Sequence, residues 1–232
     1  MKILVVIPAY NERESIVSTV ERLKKEAPGL DYVVINDCSK DDTAQLLTAH
    51  GMHFIDLPVN LGIGGAVQTG YRYALAHDYD AAVQVDGDGQ HDPAFLSVMA
   101  KTLEEERADM VIGSRFIRHE GFQSSFARRV GILYFTRLIR LLTGKTITDP
   151  TSGLRMIGRK GIAMFAKEYP RDYPEPESVV ELLRSGGKVL EIPVVMRERQ
   201  GGTSSIRFRN SVYYMIKVTL AILIACIRKK GE

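Results

Sequence analysis

Two cysteines are all the chain has, Cys38 and Cys226, and they lie far apart in unlike surroundings. Neither a disulfide framework nor a zinc-binding spacing follows, and a reducing cytosol is the expected compartment. No apolar run reaches the roughly 20 residues that a spanning helix needs; Val212 to Ile227 is shorter and is broken by Lys217. No secretory leader is expected, since Met1-Lys2 runs straight into a strand pattern. Internal repeats and low-complexity tracts are absent, which excludes solenoids and disordered arrays. Charge is nearly balanced: 31 Lys and Arg face 28 Asp and Glu, a net charge of +3. So slight a bias does not call for nucleic acid as a partner.

What remains is an ordinary globular composition. Its 232 residues are 45% hydrophobic and 25% charged, enough for one sizeable core. Ile3 to Ile7 reads as a buried strand stopped by Pro8, followed by a helix capped at Asn11 or Ser15 and running to about Glu26. Strands follow at Tyr32 to Ile35, His53 to Leu57, Ala81 to Val85 and Met110 to Ile112. Between them lie helices after Ser39, Asp41 and Asp42, from the Gly62-Ile63-Gly64-Gly65 loop to about Ala76, and from about Pro93 to Glu106. Strands alternating with helices predict an α/β fold with a mainly parallel sheet covered on both faces. Ligands of such sheets bind beyond the carboxyl ends of the strands, where Pro8 to Glu12, Asp37 and Asp86 to Gln90 fall.

The chain is organised around Asp86-Gly87-Asp88-Gly89-Gln90-His91, at the end of the central strand. Two carboxylates either side of one glycine can reach one hard cation, and Gln90 adds a neutral oxygen. An oxygen-only set suits magnesium or manganese, with phosphate oxygens and waters completing the shell. Gly87 and Gly89 are expected to let a ligand approach the backbone.

After about Gly121 the composition shifts. Phe126 to Leu142 gathers Arg129, Arg137 and Arg140 on one side of a helix and apolar residues on the other. That pattern fits a surface helix packed on the core or one lying in a membrane interface. Val212 to Ile227, followed by Arg228-Lys229-Lys230, fits an interfacial helix or one buried against another subunit. Residues 1–205 are thus expected to form the main domain, and residues 206–232 a membrane-interface or oligomerisation helix.

The ordered motifs resemble the inverting family-two glycosyltransferases of the GT-A fold, and more narrowly the polyprenyl-phosphate glycosyltransferases. They are Ile7-Pro8-Ala9-Tyr10-Asn11-Glu12, Asn36-Asp37 with Ser39, Asp42 and Thr43, Asn60-Leu61-Gly62 through Gly70-Tyr71, and the Asp86 to His91 turn. Gly113-Ser114-Arg115, Asp149 to Gly153, and Arg199 with Gly202 and Ser204 complete the set. The resemblance implies that Pro8, Tyr10, Glu12, Asp37, Gly65, Asp86 and Gly87 line the nucleotide-sugar pocket. It implies Asp86, Asp88 and Gln90 as holders of Mg2+ or Mn2+. It gathers Arg115, Arg128, Arg199 and Ser204 around an acceptor phosphate, Arg129 being a rival for Arg128. Catalysis would then rest on Asp88, Arg115, Arg128 and Arg199.

One departure bears on the acceptor. Tyr173-Pro174-Glu175-Pro176-Glu177 lacks the adjacent acidic pair that hydroxyl-glycosylating relatives use as a base. A lipid phosphate is already an anion and needs none. The Gln-x-x-Arg-Trp pattern of processive synthases is also missing, and the chain has no tryptophan. The expected activity is transfer of one hexose or N-acetylhexosamine, from a UDP-sugar to undecaprenyl phosphate with inversion, for cell-envelope glycan modification. It is placed at the cytoplasmic face of a membrane, with a homo-oligomer or a small membrane-spanning partner as possible company. The alternatives are a GDP-mannose transferase like dolichol-phosphate mannose synthase, transfer to a saccharide hydroxyl with Glu177 as base, and an inactive nucleotide-sugar-binding scaffold.

Overall fold

The computed structural model describes residues 1–118, 126–197 and 208–227, with side chains for 1–118, 129–197 and 213–226. In chain order the elements are β1 (Ile3–Ala9), α1 (Ile16–Glu26), β2 (Asp31–Asn36), α2 (Thr43–Ala49), β3 (Phe54–Asp56) and α3 (Gly62–Ala76). They continue with β4 (Ala81–Gln84), α4 (Phe95–Glu105), β5 (Met110–Ser114), α5 (Phe126–Thr143), β6 (Arg155–Gly158) and α6 (Arg159–Lys167). Last come α7 (Pro174–Arg184), β7 (Val189–Pro193) and α8 (Phe208–Ile227).

The seven strands lie in the order β3-β2-β1-β4-β6-β5-β7. Among them only β6 runs antiparallel, to both β4 and β5. Every residue of β1 is buried, as a central strand covered on both faces requires. Its side chains alternate between two cores. Leu4 and Val6 join the cluster formed with α3, α5, α6, α7 and α8. Val5 and Ile7 join the one formed with α1, α2 and α4.

β1 runs two residues beyond Ile7, the end expected before Pro8, and the pairing explains why. The Val6 carbonyl accepts from Val85 N, so even-numbered residues of β1 point their backbone polar groups toward β4. The β1–β4 ladder ends at Val6–Gln84, whereas β1 pairs with β2 up to Ala9–Asn36. Pro8 therefore lacks its N–H on the side where no partner strand remains. Two strands, β6 and β7, and the helix α6 go beyond the sequence expectation.

The Gly62 to Gly65 run also differs: it is the first turn of α3, not a loop. Gly64 donates its N–H to Arg171 O at 2.9 Å, and a Cβ there would overlap the carbonyl oxygens of Pro170 and Arg171. At Gly65 a Cβ would run into the Leu61 side chain. These glycines serve close packing at the start of α3. Backbone cannot yield as a flexible side chain can, so Gly64→Ala is expected to destabilise the fold by about 1–3 kcal/mol. Urea denaturation followed by far-ultraviolet circular dichroism checks this.

Candidate active site

The strand order leaves β1 outward in one direction to β2 and β3, and resumes on its other side with β4. The carboxyl ends of β1 and β4 therefore flank the switch point where open α/β sheets bind ligands. The β1 end is locked from below. Asn11 takes a left-handed backbone (φ 57°), donates its N–H to Ser39 Oγ at 2.9 Å, and accepts from Lys40 N at 2.8 Å. Glu12 donates its N–H to Thr43 Oγ1, and its carboxylate accepts from Ser15 Oγ. Pro8 is buried and Tyr10 exposed beside it.

Asp37, at the end of β2, is buried. Its Oδ1 accepts the Leu61 N–H at 2.6 Å, and its carbonyl accepts from Asn60 Nδ2. Burial pushes its carboxyl above the ordinary value, against the pull of the Leu61 and Gly62 N–H groups. One carboxylate oxygen of Asp37 is thus already committed to the start of α3.

The turn after β4 is built on a polar floor. Gln84, buried, donates Nε2 to Asp86 Oδ1 at 3.1 Å. The buried His91 ring accepts the Asp86 N–H at Nδ1, 3.0 Å away, which leaves the proton on Nε2, 3.6 Å from Asp86 Oδ2. Asp88 is 8% exposed, and its Oδ1 accepts the Gln90 N–H at 3.0 Å. Gly89 has φ 75°, where a side chain would be strained. Gly87 differs from its expected use: a Cβ there would meet Pro8 O at 3.2 Å and Ile16 Cδ1 at 3.4 Å, so its bare side faces β1 and α1. The glycine that keeps room beside a carboxylate is Gly153, whose Cβ would lie 2.7 Å from Asp86 Oδ2.

This donor set fits a hard divalent cation. It offers two carboxylates and an amide oxygen on one turn, with Asp86 packed directly against Gly153. Among the described residues no cluster of three or more His, Cys, Asp or Glu side chains stands ready as a cage. Such sparse ligation suits an ion that keeps waters and phosphate oxygens in its shell.

At the ends of β5 and β6, Arg115 does something other than expected. Its fork is closed on the buried Asp149, Nε to Oδ2 at 2.6 Å and Nη2 to Oδ1 at 2.7 Å, and Nη2 also reaches Thr151 Oγ1. Asp149 and Thr148 are held in turn by Glu191, which accepts both backbone N–H groups. A bidentate pair of this kind satisfies the planar fork, and only Nη1 stands outside these bonds. Behind it the fully buried Arg155 donates to Ser152 O, Glu175 O and Ser178 Oγ, fixing the start of α7. Burial raises the Glu175 carboxyl, Arg155 opposes, and the charge of Asp86 adds to the rise. Glu177 faces the other way, into a cavity of about 400 Å³ shared with Tyr173, Asp172 and Lys217.

Pro8, Tyr10, Glu12, Asp37, Asp86, Asp88 and Gln90 thus come to one edge of the sheet. Arg199 and Ser204 lie outside the described residues, as does the side chain of Arg128. Gln84, His91, Asp149 and Arg155 join the site without having been given roles from sequence. A glutamine and an arginine inside short apolar runs were the available signals.

A mixed sheet with one reversed strand, carrying an acidic turn at its switch point, is the architecture of the GT-A fold. The chain belongs to glycosyl transferase family 2, whose profile matches residues 4–163. It is 30% identical over 215 residues to an undecaprenyl-phosphate mannosyltransferase of Micrococcus luteus, covering 89% of this chain and 88% of that one. It is 28% identical to a polyprenol monophosphomannose synthase of Mycolicibacterium smegmatis, over 93% and 84% of the two chains. The fold matches glucosyl-3-phosphoglycerate synthase from Mycobacterium tuberculosis in complex with Mn2+, UDP-glucose and phosphoglyceric acid. There the TM-score is 0.72 at 21% identity, covering 99% of this chain and 81% of that one.

Proposed function

We propose that the chain transfers one sugar from a nucleotide sugar to a polyprenyl phosphate at a membrane surface, with inversion. The observation that carries this is the site itself: an acidic turn on the donor side and no paired acidic base in the described part of the pocket. Similarity to polyprenyl-phosphate transferases along nearly the whole chain supports the acceptor. A uridine diphosphate sugar is the donor of this reading and undecaprenyl phosphate its acceptor. The mannosyl names of the relatives favour mannose, from GDP-mannose, as a second reading.

Asp86, Asp88 and Gln90 would hold Mg2+ or Mn2+, which supplies charge neutralisation for the departing nucleoside diphosphate. Pro8, Tyr10 and Glu12 line the nucleotide side, together with the oxygen of Asp37 not committed to Leu61. Arg128, Arg199 and Ser204 are assigned to the acceptor phosphate. Arg115 keeps a part in that group through Nη1, while its fork anchors Asp149. The phosphate oxygen attacks the anomeric carbon in line, and no proton has to be removed from it.

The membrane face is assigned to α5 and α8. The two helices touch through Tyr134 Oη and Thr219 Oγ1, 3.0 Å apart. Their sequences carry arginine and lysine but no aspartate or glutamate. Val130, Leu133, Leu141, Tyr213, Ile216, Leu220 and Ile224 are exposed on them, with Arg129, Arg137 and Arg140 exposed alongside on α5. An apolar ridge edged by cations suits an anionic lipid surface. No helix among the described residues is long and apolar enough to cross a membrane.

Three outcomes are expected. First, a donor screen against polyprenyl phosphate in membranes, read by mass of the lipid product, gives one glycosyl phosphate lipid. The product vanishes in Asp88→Asn and in chelator, while circular dichroism stays unchanged. Full turnover after exhaustive metal removal would overturn the metal assignment.

Second, Glu177→Gln and Glu175→Gln each retain most of the transfer rate. A fall of about a thousandfold, the scale of a lost general base, would favour a saccharide hydroxyl as acceptor.

Third, the protein sediments with anionic liposomes, and high salt releases it. The paired substitution Leu220→Glu and Ile224→Glu weakens binding and lipid glycosylation together. Truncation of α8 is the poorer test, because Val218 and Ile222 belong to the core. Undiminished sedimentation of the double variant would remove α8 from the membrane face.

A further inference from the structure

The turn that carries Asp86 and Asp88 is gripped from outside by two arginines that no motif includes. Arg22, on α1, directs one nitrogen, Nη2, to two carbonyls of the turn: Gly89 O at 2.7 Å and His91 O at 2.8 Å. One helical turn earlier, Thr19 Oγ1 donates to Gly87 O at 3.2 Å. Three alternate carbonyls of the turn are therefore drawn toward α1. Arg22 Nε is buried without a hydrogen-bond partner, so the guanidinium is held there at some cost in desolvation.

Arg197, just after β7, grips the same turn from the other side. Its backbone N–H donates to Gln90 O at 3.1 Å, and its carbonyl accepts Gln90 Nε2 at 3.3 Å. Its guanidinium donates to Asp92 Oδ2 through Nε at 3.2 Å and Nη2 at 2.9 Å. Nη2 also lies 3.9 Å from Glu26 Oε2, at the end of α1. Both amide groups of Gln90 are thereby placed: main chain against main chain, and Nε2 against the Arg197 carbonyl, which turns Oε1 away from Arg197.

We infer that Arg22 and Arg197 are positioning residues, a two-sided clamp that sets the aim of Asp88 and Gln90 and so sets the affinity of the turn for its divalent cation. The inference rests on the metal assignment proposed above. Its physical basis is competition for oxygens. Carbonyls gathered within reach of one nitrogen would themselves attract a hard cation. With Arg22 on them, the strongest acceptors left to a cation on this turn are the carboxylates and Gln90 Oε1. The Arg197 backbone then fixes which way the Gln90 amide faces, and the guanidinium, bonded to Asp92, holds that backbone in place; it is this anchoring that Arg197→Ala removes.

The test is Mn2+ affinity in the presence of UDP, read from the electron paramagnetic resonance signal of free Mn2+, for wild type, Arg22→Ala, Arg22→Lys, Arg197→Ala and Asp92→Asn. Metal-free melting is followed by circular dichroism in parallel. Loss of a residue that orients metal ligands weakens binding by about ten- to a hundredfold, and that is expected for Arg22→Ala and Arg197→Ala. Arg22→Lys should recover part of the loss, because a lysine can donate to both carbonyls. Asp92→Asn should act in the direction of Arg197→Ala. The Arg197 side chain is 47% exposed, so its variant remains a test even where Arg22→Ala fails to fold. Affinity within twofold of wild type in folded Arg197→Ala overturns the clamp while leaving the metal assignment standing. If wild type itself binds no Mn2+ under these conditions, the metal assignment falls and the clamp falls with it.

Discussion

Two carboxylates held on one short turn repel each other, and that repulsion is the constraint the working edge of this sheet is arranged to meet. A turn of this kind needs fixed hydrogen-bond donors before any cation arrives. Asp86 has Gln84 Nε2 beneath it and the His91 ring beside it. Asp88 has the Gln90 N–H. Each donor comes from an element whose own position is set elsewhere: Gln84 from the β1–β4–β6 register, and His91 through the carbonyl that Arg22 holds. The sheet thus supplies the turn with donors as well as with a place to sit.

Much of the amino-terminal half was legible in the sequence because its strands are apolar and buried on both faces. Ile3-Leu4-Val5-Val6-Ile7 can hardly be anything else. β6 was hidden for the opposite reason. Arg155 and Gln84 face each other across the β4–β6 ladder, and both are buried. A strand that opens on arginine does not read as interior. Only the tertiary partners, the Ser152 and Glu175 carbonyls and Ser178 Oγ, make its burial tolerable. Sequence periodicity carries no record of those partners.

The candidate site was legible as residue types but less so as roles. A carboxylate at a strand end can bind a ligand or cap a helix, and the spacing is the same in both cases. Asp37 is bound to the start of α3 by the Leu61 N–H and still stands at the strand end where a ligand would come. Arginine after a strand reads as a phosphate ligand, but Arg115 meets a buried aspartate that is 34 residues away in sequence. Glycine reads as room for a ligand. Gly87 and Gly64 instead make room for the protein's own backbone, and Gly153, which does lie beside Asp86, stands in a different motif. Arg22 gave no signal, since one arginine on an amphipathic helix looks like any other.

The same carboxyl-end geometry bears on how a membrane-held acceptor would reach the donor. α7 carries Glu175 in its first turn, within the electrostatic reach of Asp86, and packs against α8. The phosphate of a polyprenyl phosphate lies at the bilayer surface, with its chain in the hydrocarbon. An enzyme lying on that surface through α5 and α8 would bring its donor to the phosphate without drawing the lipid out. Lys217 stands at the junction, paired with Asp172 on the loop before α7 and lying over the rings of Tyr173 and Tyr213. Its charge is neutralised on the protein side, which leaves the exposed ridge of α8 apolar where it would meet lipid.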